Sequence, residues 1–102
     1  MALQFSLYRW SERGPLCIEI DPVDAGCFLH VLWFLSQRYR FPMPRIVDTL
    51  DGYAADFELL GGHATLSIDA WSFALIVHDD AIRAQVLAEL RALPADFFDR
   101  DN

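Results

Sequence analysis

The chain has 102 residues and a mass of 11.7 kDa, which is the size of one compact domain. Hydrophobic residues make up 54% of the chain, well above the composition of disordered proteins, so we expect it to fold. Fifteen acidic residues, eight arginines and no lysine give a net charge of −7. This charge argues against nucleic-acid binding, and the missing lysine excludes Schiff-base chemistry and a Walker-type phosphate loop.

Targeting and membrane signals are missing from the sequence. The longest apolar segment, 28–35, is far shorter than the roughly 18 to 20 residues that a bilayer requires, so we predict no transmembrane helix. The first residues contain no basic leader before an apolar run, and we therefore predict a cytoplasmic protein without a secretory signal. Cys17 and Cys27 form no CxxC motif and are predicted to be buried thiols.

The first two predicted elements are a hairpin and a helix. Apolar residues alternate on both sides of a turn that contains glycine and proline, which predicts a β-hairpin over 3–20. Asp21 and Pro22 are suited to the N-cap and first position of a helix, which we place at 22–39.

The predicted helix has apolar residues on more than one side. At 100° per residue, Leu29 and Trp33 fall nearly opposite the main apolar face and are neighbours by their i, i+4 spacing. Either they contact another protein, or residues 41–46 of the connector 40–52 fold back over them. Ile46, Val47 and Leu50 within that connector are predicted to form a short turn that packs on the core.

The segment 53–78 predicts a meander of three strands. Gly61 and Gly62 fit the two positive-φ positions of a type I′ hairpin turn. That turn pairs Leu59 with Ala64, Phe57 with Leu66 and Ala55 with Ile68, and a symmetric second loop pairs Ile68 with Phe73 and Leu66 with Leu75.

A last helix is predicted over 80–93, with Asp79 and Asp80 at its capped start. The predicted fold is therefore a single α+β domain of two layers over 1–102, in the order ββαβββα. We expect a mainly antiparallel sheet with both helices packed on one face.

The other face of the sheet is predicted to be open and acidic. Asp56, Glu58 and Asp69 lie on it, and Trp71 lies at a hairpin tip beside it. Such a surface suits a basic protein partner, as in the small acidic inhibitors of basic enzymes that serve as immunity proteins and antitoxins.

Two histidines offer the main alternative. His63 and His78 are predicted to be cross-strand neighbours on the open face, with Asp79 next in sequence as a third ligand for a metal ion. Cys27 and His30 are a weaker pair, because no second Cys/His pair completes a zinc site.

The sequence therefore supports three hypotheses. In the first, the chain is a non-enzymatic interaction module without a cofactor, which binds a basic protein through Asp56, Glu58, Asp69 and Trp71, or another protein through Leu29 and Trp33. In the second it is a small metal-dependent or histidine-based enzyme. In the third it is a structural homodimer joined through its helix or a free strand edge.

Overall fold

A computed structural model describes residues 2–9, 12–14 and 16–99. Within them the chain forms one six-stranded antiparallel sheet with two α-helices, which confirms the predicted α+β fold. The elements are β1 Gln4–Arg9, β2 Leu16–Asp21, α1 Ala25–Tyr39, β3 Ile46–Asp48, β4 Tyr53–Leu59, β5 Gly62–Ile68, β6 Phe73–Val77, α2 Asp80–Arg91 and a 3₁₀ turn at Phe97–Asp99.

The strands are ordered β1-β2-β6-β5-β4-β3. Pairing of Ile18 with Leu75 joins the N-terminal hairpin to the meander, a connection that the sequence left open. The predicted turn of Ile46, Val47 and Leu50 is wrong, because Ile46 and Val47 form the short edge strand β3 against β4 and Leu50 is fully exposed. Three residues are too few to show the alternation that identifies a strand in the sequence. This strand forms because the edge of β4 is free to pair with it.

Both helices differ from their predicted bounds. The prediction that Asp21 and Pro22 begin α1 is wrong: the helix starts at Ala25, and the Asp24 side chain accepts a 2.8 Å hydrogen bond from the backbone N–H of Gly26. Two candidate caps three residues apart give the same sequence signal, and the pairing of β2 extends through Asp21. At the other end, α2 stops at Arg91 rather than at residue 93.

The turn between β4 and β5 is shifted relative to its prediction. Leu60 and Gly61 hold the two positive φ angles, 53° and 85°, and Leu59 pairs with Gly62. The predicted partners of Leu59, Phe57 and Ala55 are therefore wrong. The turn begins one residue earlier than predicted, because Leu60 takes a left-handed conformation that we had expected only of a glycine. The second loop is confirmed, with Ile68 opposite Phe73.

The core lies between the two helices and one face of the sheet. Val31, Leu32, Val86 and Leu90 from the helices are fully buried against inward-facing strand residues. The C-terminal 3₁₀ turn packs against the N-terminal strand, with the rings of Phe5 and Phe98 6.1 Å apart. Among the described residues, no helix covers the opposite face of the sheet, although Cys17 and Ala74 on that face are buried.

Candidate partner-binding surfaces

The open face of the sheet carries acidic side chains on both halves. Asp56 and Glu58 are exposed on β4, as predicted. The pairing of β2 with β6 adds Glu19 and Asp21, which alternate with the buried Ile18 and Ile20. We call Glu19, Asp21, Asp56 and Glu58 the acidic face. No arginine is found among the described strand residues that point away from the helices.

Glu19 and Asp21 were missed because the sequence did not reveal the strand order. Their alternation with isoleucine gave their orientation within the hairpin, but not the neighbours of that hairpin. A single pair, Glu19 opposite Ala74, places them on the same sheet face as Asp56 and Glu58.

Cross-strand contacts hold Asp56 in place. The Thr65 hydroxyl donates a 2.5 Å hydrogen bond to Asp56 Oδ1, and His63 Nε2 lies 3.6 Å from the same oxygen. Both contacts are exposed, so they orient the carboxylate while leaving it accessible to water or to a partner.

The two histidines are neighbours, as their predicted register requires. The His63 and His78 rings stack with centroids 5.3 Å apart, and the backbone N–H of His78 donates to the His63 carbonyl. Asp79 instead caps α2, since its Oδ1 accepts a 2.9 Å hydrogen bond from the backbone N–H of Ile82. Throughout the described residues, no group of three or more His, Cys, Asp or Glu has a geometry that could hold a metal ion.

The hairpin tip after β5 presents Trp71. Asp69 Oδ1 accepts hydrogen bonds from the backbone N–H groups of Trp71, at 2.7 Å, and Ser72, at 2.8 Å. These bonds hold the pKa of Asp69 below its usual value, because they stabilise the carboxylate. Asp69 therefore shapes the loop, and the Trp71 side chain is 87% exposed at its tip.

On the helical side, Leu29 and Trp33 remain uncovered. Their side chains are 54% and 56% exposed. Phe41 of the connector stacks instead on Phe57, with ring centroids 4.6 Å apart. Met43 of the connector reaches the side of α1 but does not bury the pair, so of the two alternatives the intramolecular cover is contradicted within the described residues.

A groove runs along this side of α1. Its volume is about 550 Å³, and it is lined by Leu29, His30, Trp33, Phe34, Gln37, Met43, Phe97 and Phe98. We call it the α1 groove. The sequence could not reveal it, because Met43 and Phe97 reach α1 only through the tertiary fold.

Both cysteines are buried, as predicted. Burial raises the pKa of the Cys17 thiol, with a further contribution from the negative charge of Glu19. Cys27 lies on the core side of α1, and the neighbouring His30 is exposed beside the α1 groove.

No protein-family model, curated protein or solved structure matches this chain. Among the described residues, no helix is both long and apolar enough to cross a membrane.

Proposed function

We propose that this chain is a non-enzymatic binding module whose acidic face docks a basic protein. The observation that carries the proposal is the set of carboxylates of Glu19, Asp21, Asp56 and Glu58 on one sheet face, without an arginine among the described outward-pointing strand residues. A cationic partner gains attraction across this face, while acidic proteins are repelled.

The spacing of the carboxylates favours a protein over a single bound ion. Two strands, β6 and β5, separate β2 from β4, and Asp56 lies two residues along β4 from Ala54, which shares the row of Glu19. At about 4.8 Å per strand and about 3.4 Å per residue, Glu19 and Asp56 therefore lie roughly 16 Å apart. Metal–oxygen bonds are only about 2 to 2.6 Å long, whereas a protein interface of about 800 Å² per partner covers this distance easily.

Small side chains separate the acids of the two halves of the face. Ala54, Ser67 and Ala74 lie in one row across β4, β5 and β6, and the row continues to Glu19 on β2. Long arginine or lysine side chains of a partner can lie across this row and place their charges beside the carboxylates.

The net charge of −7 adds a longer-range effect. An acidic chain attracts a basic protein before contact and raises the association rate, an effect that salt screens beyond about 8 to 10 Å. This behaviour suits a neutralising protein of the immunity or antitoxin type, which must find a basic enzyme quickly.

The test compares two charge-reversal variants with the same net charge. Asp56→Arg with Glu58→Arg alters the acidic face, and Glu12→Arg with Asp51→Arg changes exposed acids outside it. Each tagged variant is incubated with lysate of the host cell at low and high salt, and bound proteins are quantified by mass spectrometry. We expect a basic, salt-sensitive protein to be lost only from the acidic-face variant.

Two outcomes would contradict the proposal. If both variants retain the same proteins as the wild type, the acidic face does not bind them. If both lose them equally, net charge alone explains the binding. The neutralising role needs a further step: the purified partner must lose activity with the wild-type chain and keep it with the acidic-face variant.

A further inference from the structure

The α1 groove combines a projecting aromatic side chain with an apolar cleft. Trp33 is 56% exposed at its edge, and Leu29, Met43 and Phe97 are exposed by 54%, 40% and 36%. The groove volume of about 550 Å³ lies within the roughly 300 to 1,000 Å³ of ligand-binding clefts, so it has room for an indole ring.

The charge distribution makes a second copy a suitable occupant. Two chains of charge −7 repel one another wherever their carboxylates meet. The residues that line the α1 groove include no Asp, Glu or Arg. The lining of the groove itself therefore brings no like charges together when two copies meet through it.

A two-fold dimer also requires a surface that complements itself, because each copy contributes the same patch. The α1 groove meets this requirement, since Trp33 projects beside the cleft that would receive the Trp33 of another copy. We infer that this chain forms a two-fold homodimer in which Trp33 of each copy enters the α1 groove of the other.

The area is sufficient for a modest interface. The four exposed side chains present on the order of 400 Å² of apolar surface, which is the size of a patch that commonly marks an interaction site. A standard interface buries about 800 Å² per partner, so the polar surroundings of the groove must contribute the rest. This corresponds to a reversible dimer with a small apolar centre.

The dimer is independent of the proposed partner binding. The outer side of α1 and the acidic face lie on opposite layers of the domain, so pairing through α1 leaves both acidic faces exposed. Each dimer then offers two docking surfaces, and a multivalent partner gains avidity from them.

Sedimentation velocity over a range of protein concentrations tests the dimer. The wild type, Trp33→Ala and the matched control Trp71→Ala are compared, since both tryptophans are exposed and both changes remove an indole. We expect the wild type to reach twice its 11.7 kDa mass and Trp33→Ala to raise the dissociation constant at least about tenfold. Trp71→Ala should leave it unchanged.

As a control, circular dichroism of each variant is recorded to test whether the fold is retained. A wild type that stays monomeric at about 100 μM overturns the inference, whatever else binds the groove. A dimer that survives both Trp33→Ala and Leu29→Ala also overturns it and assigns the contact to another surface. The Asp56→Arg, Glu58→Arg variant should dimerise normally, which separates this result from the fate of the acidic face.

Discussion

Substitutions in the β4–β5 turn test the register that arranges the open face. Gly61 has a φ of 85°, which costs an L-residue about 1–2 kcal/mol. Alanine has less conformational freedom than glycine in the unfolded chain, which stabilises the folded protein by roughly 0.5–1 kcal/mol and offsets part of this cost. Gly61→Ala should therefore destabilise the protein by about 1 kcal/mol. No atom lies within 4 Å of the added Cβ, so the backbone conformation alone accounts for this loss.

Gly62→Ala is the matched control. Gly62 lies in β5 without a positive φ, and the one close contact of its added Cβ, at 2.9 Å, would be with the flexible end of Ile82, while the Leu59 carbonyl and the Asp79 Cβ lie at ordinary contact distance. The restricted unfolded chain offsets that contact, and we expect a change within about 0.5 kcal/mol. Leu60→Asn should stabilise the fold by about 0.5–1 kcal/mol, because asparagine tolerates the left-handed conformation better than leucine.

Urea unfolding, followed by far-UV circular dichroism, measures these differences in the free energy of unfolding. In a thermal unfolding experiment, 1 kcal/mol corresponds to a change in melting temperature of about 4–8 °C for a domain of this size. Equal losses for Gly61→Ala and Gly62→Ala would refute the observed turn. They would support the alternative register with both glycines in the turn, which would separate Thr65 from Asp56 and His63 from Glu58.

Three further predictions concern packing, pH dependence and thiol reactivity. A Cβ at Gly52 would lie 1.8 Å from the Ile68 carbonyl oxygen, so Gly52→Ala should cost about 3 kcal/mol or more in urea unfolding, and wild-type stability would refute the close approach. Tyr39→Phe removes the 2.6 Å hydrogen bond to Glu89 and should cost about 1 kcal/mol at pH 7. That bond holds the pKa of Glu89 below its usual value. The stabilisation by the bond is therefore full above about pH 5 and is lost as the pH falls through the lowered pKa. If the stability difference between Tyr39→Phe and the wild type does not shrink at low pH, this prediction is wrong. Cys17 is 1% exposed with a raised pKa, so peptide mapping should show its alkylation only at the rate of unfolding, and fast labelling of the native protein would exclude the buried position.

Sequence patterns predicted the parts of the fold that depend on residues close together in the chain. Alternating residues identified the N-terminal hairpin and the three-strand meander, and the Asp79 cap and the stacked neighbours His63 and His78 lie where the sequence placed them. These features depend on residues close in sequence or joined by a short loop. The same logic failed at Leu60, where the strand pairing imposes a backbone conformation that the residue itself disfavours.

The surfaces were harder to predict than the elements. The orientation of Glu19 and the outward position of Trp33 follow from periodicity alone. Their surroundings depend on contacts between distant segments, such as β2 with β6 and the 3₁₀ turn with α1. No local signal encodes these contacts, because they form only when the whole core is assembled.

The sheet order has a consequence for how the protein is made. The hairpin of β1 and β2 is synthesised before β6, yet its inner strand pairs with β6, with Ile18 opposite Leu75. A contact made later still connects α2 to β1, since Arg91 Nε donates to the Phe5 carbonyl at 2.9 Å. The apolar face of this hairpin therefore stays exposed until β6 has been synthesised. Nascent chains that stall before β6 would be natural clients for a chaperone.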